Sequence, residues 1–398
     1  MTEQTSPPAV SVTGKEKTKL HPMLIVFAVI LLLAVLVSAF FSFRTNQAVA
    51  DIIAQEGLDD GETREDDVKI MDEYWIRSTL PISDAYRTGD DSKLDEKEKA
   101  TLEMATAVLD ELITEDMTPY DKELAVYDWM TKELKYDTGV LQVIPNTEED
   151  CDNPYGVLKY HNAVCVGYAT TFKLFMDALG IECKVIHSTQ QGEHAWNIVK
   201  IDGDWYHVDV FFDGGTHKPL YGAFNVNDSI KRQQGYPWNN GPQEEFPECT
   251  SLKYAPVVRE SKECKSVYSL PKQLAKIVND ENGGVLFLRF PVPEEAGVYG
   301  YQQQIDGILS NISFDSKQIS YKCFADADSN SVYVSVSAEV PDDMLDSGEN
   351  DDSVPDDTSF RRAGIDFDRL TRELNNEFGL DVNFYYEEDQ DDDSSYLY

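Results

Sequence analysis

The chain has 398 residues, 41% of them hydrophobic and 11% aromatic, and a formal net charge of -39. That length allows two domains plus tails, and the apolar content is sufficient for real cores. The charge excludes nucleic acid and an anionic membrane surface as main partners, because both require basic patches.

Residues 1–21 read as a short tail. Met23 to Phe43 is a stretch of 21 residues without a charge, broken only by Ser38 and Ser42. A helix of about 20 apolar residues matches the hydrocarbon core of a bilayer, so residues 22–43 are expected to span a membrane. Lys15, Lys17 and Lys19 precede the span, and an acidic region follows Arg44. The positive-inside bias then puts the tail in the cytoplasm and the rest of the chain outside the cell. The rival reading is a cleaved signal peptide ending at Ala48-Val49-Ala50, although h-regions run to only about 7–15 residues. Residues 44–92 are polar and acidic and read as a stalk, with one apolar patch around Tyr74-Trp75-Ile76.

A first folded domain is expected over 93–265. Leu102, Ala105, Leu109 and Leu112 share one helical stripe. Thr118-Pro119 is a helix start, with Thr as N-cap and Pro at the first position. Leu124, Tyr127 and Leu134 form the buried face of that helix. A third helix is expected from about Cys165 to Leu179, with Gly180 as its stop. Residues 184–187 and 194–201 look like strands. Asp202-Gly203 is the strongest hairpin signal in the chain, and residues 204–211 return as the partner strand.

The cysteines at 151, 165, 183, 249, 264 and 323 show no CxxC-type spacing, and the six histidines are scattered. The pattern calls for no metal and no small-molecule cofactor. Cys249 and Cys264 are the closest candidates for a disulfide in an exported protein.

Three residues carry chemistry. Cys165 stands where a helix begins, so its sulfur would face unpaired backbone N–H groups and the positive end of the helix dipole. Gly167, two residues on, lets other backbone come close. With a two-residue turn at Asp202-Gly203, opposed residue numbers sum to 405. His194 and Asp209 then become diagonal neighbours on one sheet face, within reach of a hydrogen bond. A thiol, an imidazole and a carboxylate so placed are the parts of an activated cysteine nucleophile. The backbone N–H of Cys165 would serve as an oxyanion donor. Asn153, Tyr155, His161 and Asn162 are unranked candidates for a side-chain donor. Cys183 fits an inert core thiol, and His187 and His207 fit structural roles.

Cys165-Val166-Gly167-Tyr168-Ala169, Gly180-Ile181, His194-Ala195-Trp196-Asn197 and Gly203-Asp204-Trp205-Tyr206-His207-Val208-Asp209 resemble the core of the transglutaminase-like superfamily. The segment from Tyr127-Asp128-Trp129 to Lys135-Tyr136-Asp137 is similar too. The resemblance covers about residues 95–250. It implies an α+β, papain-like core: a nucleophile helix packed on an antiparallel sheet that carries His and Asp. The family's Cys, His and Asp fall on Cys165, His194 and Asp209. Val210-Phe211-Phe212 departs from the family, which often has Thr and Trp after the Asp. The departure bears on the substrate groove. The resemblance also implies acyl transfer from protein or peptide amides through a thioester, to water or to an amine. A non-catalytic envelope protein using the same fold as a platform is the alternative.

From 266 to 386 a small α/β domain is expected, in the β-α-β-β-α-β order of a split βαβ unit. Its elements are Val285–Phe290, Val298–Leu309, Gln318–Phe324, Ser331–Ser337, Asp366–Phe378 and Asp381–Tyr386. An acidic loop at 341–357 would interrupt it, and residues 387–398 form an acidic tail. Residues 341–398 hold 19 acidic and 4 basic side chains, a balance of -15.

If Cys165 is an activated nucleophile, a thiol-directed alkylator at mildly acidic pH should modify it faster than Cys183. Peptide mapping by mass spectrometry reads the two rates, and equal rates would remove the activated nucleophile.

Overall fold

The computed structural model describes residues 68–69, 75–136, 150–188, 194–214, 219–238, 246–279, 284–310, 312, 318–339 and 366–378. The expected tail at 1–21, membrane helix at 22–43, acidic loop at 341–357, strand at 381–386 and acidic tail at 387–398 lie outside the described residues. Among the described residues, no helix is long and apolar enough to cross a membrane.

A pair of two-residue strands, β1 (Val68–Lys69) and β2 (Trp75–Ile76), opens the described chain. Helix α1 (Leu80–Thr88) follows, with Pro in its first turn and Gly89 closing it at φ 74°. Ile82 and Ala85 of α1 are buried in the first hydrophobic core. The expected stalk at 44–92 is thereby corrected: its last part belongs to the core. A nine-residue helix with only a short apolar stripe is easily hidden in an acidic surrounding.

Helix α2 (Glu96–Leu112) starts at a capping box between Asp95 and Glu98. Helix α3 (Pro119–Glu133) starts at another between Thr118 and Asp121. In each box the two side chains accept from each other's backbone N–H, so two donors are satisfied reciprocally, which fixes where the helix begins. Strand β3 (Lys135–Tyr136), helix α4 (Pro154–Tyr160) and strand β4 (Asn162–Ala163) lead to helix α5 (Cys165–Ala178). β3 and β4 pair in parallel.

Helix α5 is the centre of the first core. Twelve of its 14 residues are buried, including Tyr168, Phe172, Phe175 and Met176. It packs on α1, α3 and α4 and on a four-stranded antiparallel sheet. That sheet runs β5 (Cys183–Ser188), β6 (His194–Ile201), β7 (Asp204–Val208), β8 (Phe224–Val226) in spatial order. A helix apolar on nearly every side needs such enclosure.

The hairpin register is the one the turn dictates. Ile201 pairs with Asp204, Ile198 with His207 and Asn197 with Val208. Asp202 and Gly203 both take positive φ, at 52° and 93°, as a two-residue primed turn requires. The ladder stops at Val208, and Asp209 becomes the N-cap of a one-turn helix, α6 (Val210–Asp213). Helix α7 (Asp228–Arg232) follows β8, capped by Asn227 Oδ1, which accepts from Ile230 N at 2.9 Å.

Beyond helix α8 (Pro256–Arg259) a second sheet forms. Its order is β11 (Gln318–Asp326), β12 (Ser331–Glu339), β10 (Val285–Pro291), β9 (Lys262–Glu263). Helices α9 (Leu270–Val278), α10 (Val298–Ser310) and α11 (Phe367–Phe378) add apolar side chains to its core. The order β11-β12-β10 is the arrangement of the first three strands in a split βαβ unit. Two expectations need correction. The free edge of β10 at Leu288–Arg289 is taken by β9, in parallel, so the second sheet begins before residue 266. Cys249 and Cys264 are free thiols in separate apolar clusters, so they form no disulfide.

The two sheets meet through Val226, Ile230, Ala255 and Val257 on one side and Phe287, Phe324 and Tyr333 on the other. The side-chain amide of Gln233 makes two bonds to Ala325 of β11, donating to its O at 2.7 Å and accepting from its N at 3.0 Å. The residues just after α7 are thus tied to the second sheet.

At Gly167 a Cβ would lie 2.1 Å from the carbonyl oxygen of Cys151 and 2.9 Å from Val157 Cγ2. Ala in a helix interior normally gains about 1 kcal/mol over Gly. Here the backbone overlap decides the sign, because overpacking costs about 1–3 kcal/mol. Gly167→Ala should lower the stability, read as a reduced denaturation midpoint, whereas an unchanged or higher midpoint would contradict the close approach.

Candidate active site

Cys165 is the first residue of α5. Its N-cap is Val164, whose side chain makes no capping bond. The helix therefore opens on backbone N–H groups that no capping side chain occupies, next to a half-buried thiol. Val164 N donates to Cys151 O at 3.1 Å, which fixes the approach of the chain to this helix end.

His194 is the first residue of β6 and Asp209 the first residue beyond β7. His194 Nε2 lies 2.7 Å from Asp209 Oδ2, and both side chains are buried. Cys165 is near enough to the same ring to favour its charged form. The fold thus brings His194 and Asp209 into direct contact and leaves Cys165 within range of the ring's charge.

Burial alone would strip the imidazole of its proton. The charge and hydrogen bond of Asp209, with the hydrogen bond to Cys165, outweigh that burial and hold His194 up at about 9, while the Lys231 charge opposes them. Asp209 is buried too, which alone would favour its protonation. The charges of His194 and Lys231 and their hydrogen bonds overcome this and keep its carboxyl well below the usual carboxylate range.

The ring of His194 is held on several sides. Tyr236 packs on it at 4.4 Å between centroids, Phe211 at 5.4 Å, and Trp196 stacks at 5.7 Å. Phe211, in the segment that departs from the family pattern, also touches Tyr136 and Tyr168. The position therefore contributes an aromatic wall beside the histidine.

The candidate oxyanion side chains make other contacts, and those of Asn153 occupy its polar atoms. Asn153 caps α4 and donates to Asp150 and Asp152. Tyr155 lies under Lys97 and Lys159. His161 packs edge-on against Trp129. Asn162 pairs with Lys135 through its backbone in the β3–β4 ladder.

His207, Asp228 and Cys249 place one possible ligand atom each within 4.8 Å of one another, a grouping that sequence spacing did not reveal. Trp196 Nε1 donates to His207 Nδ1 at 3.0 Å, and His207 Nε2 sits 2.8 Å from Asp228 Oδ1. A neutral ring that accepts at Nδ1 carries its hydrogen on Nε2 and donates it to Asp228. Burial, the largest effect, lowers the His207 pKa, and burial raises that of the Cys249 thiol. This donor set fits a neutral hydrogen-bonded cluster under Trp196 better than a metal centre, which needs an unprotonated Nε2 and a thiolate.

Sequence reasoning missed two neighbours of the site, Tyr236 and Lys231. Lys231 is fully buried, with its Nζ 2.5 Å from Asp209 Oδ2. Lysines are seldom fully buried unless paired, so the segment Asp228-Ser229-Ile230-Lys231-Arg232 gives no sign of which cation turns inward.

Residues 106–210 match the model of the transglutaminase-like superfamily, and the chain carries a domain of that superfamily. Among curated proteins it is similar to the kyphoscoliosis peptidase of Homo sapiens, at 25% identity over 137 residues, covering 30% of this chain and 20% of that protein. It is also similar to the kyphoscoliosis peptidase of Mus musculus, at 23% identity over 160 residues, covering 35% of this chain and 23% of that protein. The chain thus spans less than a quarter of the length of these relatives. A solved crystal structure described as a TGase is 17% identical, covers 39% of this chain and 44% of that chain, and has a TM-score of 0.26, too low to bear on the fold.

His194 is raised above its ordinary value of 6.5, to about 9. A group raised in the folded state adds stability that is full below its unfolded value and lost as pH rises through the folded one. Thermal stability should therefore fall between about pH 6.5 and 9. Buried Glu123, pushed up by its burial to about 8, adds a slope of the same sign. The test is the difference between wild type and His194→Gln, which should have the shallower slope; equal slopes would refute the assignment.

Proposed function

We propose that this protein is a cysteine-dependent enzyme acting on amide bonds of proteins or peptides, with Cys165 as nucleophile, His194 as acid and base, and Asp209 as the group that orients and charges the imidazole. The observation that carries the reading is the 2.7 Å contact between His194 Nε2 and Asp209 Oδ2, made by a ring whose charge Cys165 helps to hold.

The reaction divides into two halves. The Cys165 thiol passes its proton to His194 and its sulfur attacks the carbonyl carbon, while the carbonyl electron pair moves onto oxygen. The Cys165 N–H and the uncapped first turn of α5 offer donors to that oxyanion. As the C–N bond breaks, His194 gives its proton to the leaving amine, leaving a thioester on Cys165 and a neutral ring. In the second half, His194 takes a proton from the acceptor as it attacks the thioester, then returns that proton to sulfur as the C–S bond breaks, which restores the thiol and the neutral ring. Water as acceptor gives hydrolysis or deamidation, and a lysine amine gives an isopeptide link. We favour water, because a half-exposed thiol beside a buried histidine is open to solvent, where amines are scarce.

The proposal includes a place for this chemistry: the outer side of a cell membrane, with the protein held by a single span at residues 22–43. The support is the uncharged stretch from Met23 to Phe43 and the lysines before it. The substrates would be envelope or extracellular proteins or peptides.

An acyl-directed activity probe should label the full-length chain, and Cys165→Ala should abolish the labelling. Asp209→Asn should retain the fold and slow labelling by orders of magnitude, by analogy with serine-based triads. Labelling that survives Cys165→Ala would overturn the reading. Mass spectrometry of envelope peptides then separates new termini, deamidation and isopeptide links.

A further inference from the structure

Asp209 Oδ2 is shared by two cations. It receives His194 Nε2 at 2.7 Å and Lys231 Nζ at 2.5 Å, and all three side chains are shut away from solvent. The ammonium of Lys231 is held in turn by Gln234 Oε1 at 2.7 Å and by the face of Trp196 at 4.5 Å from the ring centroid. Trp196 also stacks on His194. One side chain therefore touches both the carboxylate and the ring that packs on the imidazole.

We propose that Lys231 is a positioning residue of the cysteine chemistry described above, on which its catalytic meaning rests: its ammonium anchors the Asp209 carboxylate and competes with His194 for it. Two effects follow from one contact. The carboxylate stays ionised in a buried place, where burial alone would favour its neutral form. The imidazolium also shares its counter-charge, so it is held less tightly than a single buried carboxylate would hold it. An imidazolium held too tightly is a poor acid, and His194 must release its proton to the leaving amine.

A role in stability alone is the bland alternative. Buried ion pairs are often neutral or costly beside apolar residues of similar size, so the pair is a weak means to stability. It also lies on the carboxylate that orients the histidine, not elsewhere in the core.

The second sheet takes part indirectly. Lys231 belongs to α7, and Gln233, two residues on, is bonded twice to Ala325 of β11. The depth at which the ammonium enters the core is therefore set from outside the transglutaminase-like domain.

The charged and titratable groups around this centre come from several elements. Cys165 of α5 faces the ring, Tyr236 packs on it, and Tyr127 of α3 and Asp213 of α6 lie within electrostatic range of Asp209 or its partners. His207 of β7 feels the Lys231 charge from the other side of Trp196. Replacing Lys231 alone leaves each of these side chains in the chain, and of them His207 loses a charge that it feels.

The test uses the full-length chain with isotope-labelled histidine, its six histidines being few enough to resolve. Lys231→Met is compared with wild type and with Lys231→Arg, and the His194 signal is assigned from His194→Gln. The titration midpoint of His194 should rise by about one unit in Lys231→Met, the scale of removing a like charge a few ångströms away. The alkaline limit of Cys165 alkylation should move with it, and Lys231→Arg should stay near wild type. A folded Lys231→Met whose His194 titrates as in wild type overturns the proposal. If the midpoint moves while Cys165 alkylates no faster than Cys183, the cysteine chemistry falls and the electrostatic assignment stands. Should Lys231→Met fail to fold, the double variant Lys231→Met, Asp209→Asn removes both charges. Recovery of folding in the double variant supports the pairing, and failure of both variants overturns it by making Lys231 a packing residue.

Discussion

The structure around the site depends on keeping one carboxylate charged where there is no water. Asp209 is fully buried, and an isolated carboxylate there would take up a proton. Two cations arriving from different parts of the chain prevent this, His194 from the start of β6 and Lys231 from α7. The fold supplies that convergence. β7 ends one residue before Asp209, α6 begins on it, and Ala223 O accepts its backbone N–H at 2.9 Å.

Near this charge lies a second group of acids with the opposite character. Glu123 is pushed up by its burial to about 8, and the hydrogen bond from Asn225 only partly offsets it. Asp128 is raised to about 6, again by burial, although Tyr221 donates to it. Asp213 is also raised by burial, although the Lys322 charge and the bonds from Tyr127 and the Gly222 N–H all oppose it. The contrast is one of partners. Carboxyls bonded to hydroxyl and amide donors drift toward neutrality, even with a cation in range as at Asp213, and the one in direct contact with two cations does not.

The sequence revealed the parts that depend on local chemistry. The caps at Thr118 and the helix start at Cys165 follow from side chain and backbone within a few residues, and both occur where expected. The register that joins His194 to Asp209 follows from a two-residue turn and from side chains that alternate along a strand. Other features depend on distant partners and left no local trace. A lysine in a polar five-residue helix reads as exposed, and only the placement of Asp209 turns Lys231 inward. The strand at Lys262–Glu263 is too short to signal itself and exists because β10 offers an edge. Helix α1 is defined by what it covers. Cys249 and Cys264 are close in sequence and yet belong to different cores.

The tip at Asp202-Gly203 carries a consequence that its solvent exposure hides. Exposed loop tips are ordinarily where evolution adds and removes residues at little cost. Here an odd-numbered change in loop length would turn either the histidine or the aspartate to the far side of the sheet, while leaving a hairpin that could still pack. Length variation at this tip would therefore uncouple survival of the fold from survival of the chemistry. Descendants that drifted there would persist as shapes without a reaction.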